Sequence, residues 1–359
     1  MNNRSFPYWI SALLAVVLVS GCSGHSRKMH AGYDSLVSFA DSITNTPMKS
    51  GRFGLASGFF EKLTALKEKE GADSARSVLL GFFGRLHPSV RITDSLAVLQ
   101  LVEWMRNCFT SMDSGGVFFT NGDADTYAAW YLQQVEGIRP DLIVISLPFL
   151  MGPDYRRTLK NNMRIRSALN LSEKDSLPIP PSTGQTQDVL VEMITRQISR
   201  PEHPPLYFAP RCGIERKFSG HIVDLDLIET YQDPVQPRNR ILDHLISKLT
   251  RGWELRYASK GMPQDQSYAA RVASIQYLTL LIRLVPEFEE QKRYQDIETL
   301  YAYLEPVVGE DWRFQLLRYK SCHQPEEKCQ EYLTRLKQYA ARHPDDPRVQ
   351  EALRGLEKK

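Results

Sequence analysis

The sharpest patterning in the chain lies between residues 115 and 150, where the spacing of apolar positions changes period twice. Val117–Thr120 is short, apolar and β-rich, and predicts a strand. Residues 127–136 place Ala128, Tyr131, Leu132 and Val135 on one face, which predicts a helix. Gly137 then stands where a helix C-cap glycine belongs. Arg139, Pro140 and Asp141 turn the chain into the continuous apolar run 142–147, a pattern that suits a parallel strand buried on both faces. Strand, helix and strand in this order predict a right-handed crossover.

Weaker patterns surround this unit. Residues 32–112 read as helices, with Phe59, Leu63 and Leu66 in one stripe and Val98, Leu101, Val102, Met105 and Phe109 in another. Trp104 lies near the second stripe and reads as core. Residues 155–169 and 188–199 predict two more helices, separated by a Pro-rich loop at 177–185. Residues 205–209 predict a third strand, and the weak alternation of 221–231 an edge strand. From about 234 the chain is helical again. Its stripes are Leu278, Leu281, Ile282 and Val285; Ile297, Leu300, Tyr301 and Leu304; Cys329, Tyr332, Leu333, Leu336 and Ala340; and Val349, Ala352, Leu353 and Leu356. These stripes resemble degenerate tetratricopeptide-like hairpins, although no clean repeat period is visible. The expectation is an α/β fold: a small, mainly parallel three-layer sheet domain at 113–233, flanked by helical, repeat-like segments at 32–112 and 234–359.

The N-terminus adds a membrane contact. Arg4 precedes an apolar stretch at 10–19 that is too short to span a bilayer. Val19, Ser20, Gly21 and Cys22 follow, and this resembles a bacterial lipobox in which Cys22 is acylated after cleavage. Residues 1–21 then read as a lipoprotein signal peptide and 22–31 as a tether; an ordinary secretory signal is the plainer alternative. Ser23 in place of Asp resembles the sorting rule for the outer membrane, facing the periplasm. Formal net charge is +3, with no basic stripe interleaved with aromatics, so nucleic acid is not an expected partner. Cys108, Cys212, Cys322 and Cys329 remain after lipidation. Cys322 and Cys329 flank a short turn between two helices, where a disulfide is set against two reduced thiols.

The candidate site is the loop between first strand and helix: Asn121, Gly122, Asp123, Asp125 and Thr126, with Trp130 one turn on. Open α/β sheets keep ligands at this edge. Asp123 and Asp125 supply oxygens for a divalent cation, the one cofactor the sequence hints at, and through it for a phosphate or sugar diphosphate. The duller reading is that one of them caps the helix beginning near Thr126. Trp130, with Tyr127, offers a stacking ring for a sugar or base, set against core or interface packing, the commoner role of such rings. Arg139 and Asp141 belong to the opposite sheet edge and are left out of the site. Nucleophile-elbow, Walker and dinucleotide signatures are missing. The carboxylates match haloacid-dehalogenase-type and metallophosphoesterase motifs only weakly.

The run from Phe119 through Asp123, Asp125 and Thr126, Trp130 and Tyr131, to Glu136, Gly137, Arg139 and Asp141 resembles the soluble C-terminal region of protein O-mannosyltransferase-like membrane glycosyltransferases, mostly from Bacteroidetes. Ala124 stands where that family usually has Asn. The family's transfer chemistry is expected in a multi-helix membrane half that has no counterpart here, so the resemblance carries over no catalytic residue. It implies a non-catalytic accessory or binding module in O-glycosylation or cell-envelope assembly, with an envelope protein or glycan as partner and the N-terminal lipid in the membrane. The alternative is a metal-dependent hydrolase or transferase acting at Asp123 and Asp125.

Overall fold

The computed structural model describes residues 52–357, apart from 86–91, 93, 170–185, 200–201, 211, 213–217, 219, 233–234, 236 and 261–270, together with residues 36, 39, 42 and 43. The signal peptide, Cys22 and the tether lie outside the described residues.

Three helices come first: α1 (Arg52–Glu70), α2 (Ala72–Phe83) and α3 (Ser95–Thr110). Asp94 caps α3 by accepting the Leu96 N–H at 2.8 Å. Both stripes expected here are buried, with Trp104 among them. Strand β1 (Val117–Thr120) then runs into α4 (Asp123–Trp130) and a π-helical turn (Tyr131–Val135). The helix therefore begins four residues earlier than its apolar stripe implies, and its last turn is wide. Strand β2 (Ile143–Ser146) leads through a 3-10 turn into α5 (Pro153–Asn161), α6 (Met163–Ala168) and α7 (Thr186–Ile198). Asn162 divides the helix expected over 155–169, because its extended backbone ends α5 and its side chain caps α6.

Strand β3 (Leu206–Phe208) is followed by a hairpin, β4 (Ile222–Asp224) and β5 (Glu229–Tyr231), where a single edge strand was expected. The sheet order is β2-β1-β3-β5-β4. Pairs β1/β2 and β1/β3 are parallel, while β3/β5 and β5/β4 are antiparallel. The sheet is thus mixed and not mainly parallel: the short connection between β4 and β5 permits only an antiparallel pair. Phe119 and Phe208, in register on β1 and β3, stack at 5.4 Å between ring centroids. Strand β2 is an edge, and the Ser146 N–H donates to the buried Tyr155 hydroxyl of α5 at 2.8 Å.

The remaining helices are α8 (Arg238–Arg251), α9 (Val272–Glu290), α10 (Tyr294–Val308), α11 (Trp312–Lys320), α12 (Glu326–Arg342) and α13 (Pro347–Glu357). The pairs α9/α10 and α11/α12 form hairpins, and a disulfide joins Cys322 to Cys329 at the hinge of the second. Ile282, read as part of a core stripe, is 45% exposed; Leu278, Leu281 and Val285 are buried without it. One hydrophobic core joins residues from Leu36 to Phe314, and a small second one forms around Leu336, Ala340 and Val349. No helix among the described residues is long and apolar enough to cross a membrane.

Candidate functional site

The loop after β1 sits where the sequence places it, at the C-terminal end of two adjacent parallel strands. Its backbone groups face one carboxylate. Asp125, third residue of α4, accepts N–H groups from Asn121 at 2.7 Å and Gly122 at 2.8 Å, one on each oxygen, and the Thr126 N–H at 3.0 Å. Amides left without partners at a helix start are satisfied in this way. Asp125 is 8% exposed. Burial pushes its carboxyl up to about 6, and the backbone N–H groups of Asn121, Gly122 and Thr126 pull against that rise.

Three hydroxyls close the same edge. Thr126 Oγ1 donates to the Gly122 carbonyl at 2.6 Å, and lies 2.7 Å from Thr120 Oγ1 and 3.1 Å from Ser146 Oγ. Thr120 and Ser146 are register partners at the ends of β1 and β2, so parallel pairing brings the trio together. All three residues are fully buried. The strand ends and the helix start are thereby tied into one unit.

The expected site residues are therefore together in space, but not as a metal pair. Asp123 and Asp125 are the first and third residues of α4, about 200° apart around the helix axis, and do not face each other. Both Asp125 oxygens are engaged by backbone N–H groups. Among the described residues no group of three or more His, Cys, Asp and Glu side chains is placed to hold a metal ion. Asn121 is exposed, while Gly122 and Asp123 are half-buried. Trp130 corrects the stacking-platform expectation: it is 5% exposed and lies against Phe149, 5.4 Å between centroids, with Phe53 and Phe60 edge-on. Its ring serves the core, as does that of Tyr127.

Other chemistry-bearing groups escape the sequence reading. Arg139, treated as a simple connection, holds the opposite sheet edge: its guanidinium pairs with Asp141 and donates to the carbonyls of Met112 at 2.9 Å and Asp113 at 3.0 Å. Buried Glu103 accepts N–H groups from Tyr257 at 2.9 Å and Ala258 at 2.8 Å; burial raises its carboxyl. A charged residue inside the apolar stripe of α3 was the available signal. Buried Asp226, in the β4–β5 turn, accepts from Ser111 Oγ and the Leu227 N–H, and burial pushes it up to about 6. Cys108 is buried too, and desolvation, then Asp226 and Asp125, raise its thiol; this is the setting of an unreactive cysteine.

Comparison with known proteins bears on this region alone. Residues 102–198 match a family model described as TMEM260-associated domain 2. No curated protein and no solved structure matches the chain. The likeness takes in α3 from residue 102 onward, β1, the β1–α4 loop, β2 and the helices up to α7, and is a similarity of that segment.

Proposed function

We propose that this chain is a non-catalytic accessory or binding module in a glycosylation-related setting, held by a lipid on Cys22 at the periplasmic face of an outer membrane, with an envelope protein or glycan as partner. The setting rests on the match to a domain associated with TMEM260, an O-mannosyltransferase-like protein. The non-catalytic role rests on one observation: the carboxylate best placed for chemistry, Asp125, spends both oxygens on the backbone of its own loop. Side chains committed in this way fix a fold and have little capacity left for substrate. The Cys322–Cys329 disulfide supports an oxidising compartment.

The decisive experiment follows turnover of glycosyl donors by the purified full-length chain with Mg²⁺ or Mn²⁺, beside calorimetric metal titration of the parent, Asp123→Ala and Asp125→Ala. The accessory reading expects no turnover and no saturable metal binding. Turnover, or metal binding lost in both variants, would establish the metal-dependent alternative instead. Fatty-acid labelling of the parent and of Cys22→Ser tests the anchor: label retained in the variant removes it.

A further inference from the structure

Away from the Asp loop, the 3-10 turn Ala258–Lys260, the end of α10 and residues of α11 and α12 line a cleft of about 500 Å³. That volume falls in the range of small-molecule sites, roughly 300–1,000 Å³. Hydrogen-bonding side chains make up most of the lining. Only Pro306 and Val307 are aliphatic, and Val307 is buried.

Acceptors and donors are both left unfilled there. Gln315 forms part of the floor: it is 4% exposed, its Nε2 donates to the Gly309 carbonyl, and its Oε1 meets no donor among the described residues. A buried acceptor without a donor is unfavourable, and a ligand hydroxyl that reaches it relieves the cost. Gly309 donates to the Glu305 carbonyl and Asp311 to that of Val308, which leaves the Pro306 and Val307 carbonyls at the end of α10 without a backbone N–H. Donors share the lining. The Lys260 ammonium meets only the Tyr257 ring, at 5.3 Å, and the Arg342 guanidinium only the Gln338 carbonyl, at 3.4 Å, among the described residues. Arg335 is already held by Glu305 at 2.8 Å and by Glu331 at 2.6 Å. Glu310 offsets one of the two remaining cations, so the lining presents no strong field of one sign.

A ligand that suits this lining donates and accepts at closely spaced points and carries no net charge. Neighbouring sugar hydroxyls do so, since each is one donor and two acceptors. A peptide also donates and accepts, but its binding energy comes chiefly from side-chain anchors seated in dry apolar pockets, and this lining offers none. We propose that the cleft binds a neutral glycan, with Gln315 and the carbonyls at the end of α10 accepting from sugar hydroxyls, and Lys260 and Arg342 donating to sugar oxygens. The inference rests on the accessory reading above and takes the glycan, not the envelope protein, as the partner.

The test is calorimetric titration of the full-length chain with the neutral disaccharides mannobiose, cellobiose and diacetylchitobiose, and with a mixed decapeptide library. The parent is expected to bind at least one disaccharide saturably. Gln315→Leu and Arg342→Gln are expected to weaken that binding about fivefold or more, the size of one lost hydrogen bond, while Arg157→Gln on α5 leaves it unchanged. Arg342 is exposed, so its variant keeps the fold and remains decisive if Gln315→Leu unfolds. No saturable binding of any disaccharide by the parent, or equal affinity in Arg342→Gln and Arg157→Gln, would overturn the proposal. Binding of peptides without binding of sugars overturns it as well and assigns the cleft to a protein partner. Each of these failures leaves the accessory reading standing, because that reading is tested separately by turnover of a glycosyl donor.

Discussion

Arg139 and Asp141 meet in a two-pronged ion pair, Nε to Oδ1 at 2.9 Å and Nη2 to Oδ2 at 2.8 Å, two residues apart across Pro140. The pair fixes a strained backbone, since Arg139 stands in the left-handed region at φ 50°. The same guanidinium donates to carbonyls at the end of α3 and in the following turn, so one side chain ties α3, β1 and β2 together. It also draws the Asp141 carboxyl well below the usual carboxylate range, mainly through the hydrogen bonds it donates to that carboxylate.

Replacing Arg139 with Ala is expected to cost about 2–3 kcal/mol in urea unfolding, because several charge-assisted bonds are lost at once. Arg139→Gly is expected to lose about 1 kcal/mol less than Arg139→Ala, since glycine accepts the positive φ. Equal losses would show that the backbone there is unstrained.

Asp125 carries a pH signature. Its folded carboxyl titrates near 6, above the unfolded carboxylate value of about 4. The folded state thus holds the proton more tightly, and this contribution to stability is present below pH 4 and lost as pH rises to 6. Asp125→Asn cannot titrate and turns an N–H group toward a backbone donor, so it is less stable than the parent throughout. The gap between them is expected to narrow as pH climbs through that window in urea melts. A gap that widens would contradict the assignment. Asp226 acts in the same direction, so Asp226→Asn serves as the parallel case.

The hydroxyl trio predicts a difference between near-isosteres. Thr126→Val leaves the Thr120 and Ser146 hydroxyls short of a partner in a dry interior, and is expected to cost about 1–3 kcal/mol. Thr126→Ser keeps the oxygen and loses only a methyl group, at about 1 kcal/mol. Thermal melts of both variants decide. A valine variant as stable as the serine one would show that the trio contributes nothing.

Reducing the Cys322–Cys329 bridge is expected to lower stability by about 2 kcal/mol, the loop-closure value for so short a loop. Hydrogen exchange should quicken first at the α11–α12 hinge. Unchanged exchange there after reduction would mean that helix packing alone holds the hairpin.

Much of the fold is legible in the sequence because its punctuation is strong. Residues 117–120 and 143–146 are apolar runs bracketed by Gly, Pro and Asp, and both become strands. The β4–β5 hairpin is hidden because its turn, residues 225–228, reads Leu-Asp-Leu-Ile with no Gly or Pro, and buried Asp226 supplies the turn chemistry instead. The start of α4 is displaced because the capping carboxylate sits inside the helix at Asp125, not in front of it. Trp130 misleads because its partners Phe53, Phe60 and Phe149 come from other elements, which periodicity within one helix does not reveal. The cleft beside Gln315 has the same origin, since four separate segments build it.

The bond from the Ser146 amide to Tyr155 has a consequence beyond this one chain. An outermost ribbon with idle amides invites a neighbouring molecule to add its own, the first step of runaway self-association. Here a phenol from the adjoining coil has already taken the outward-pointing amide at the ribbon's end. A second copy finds that one docking point, at the end of β2, already occupied.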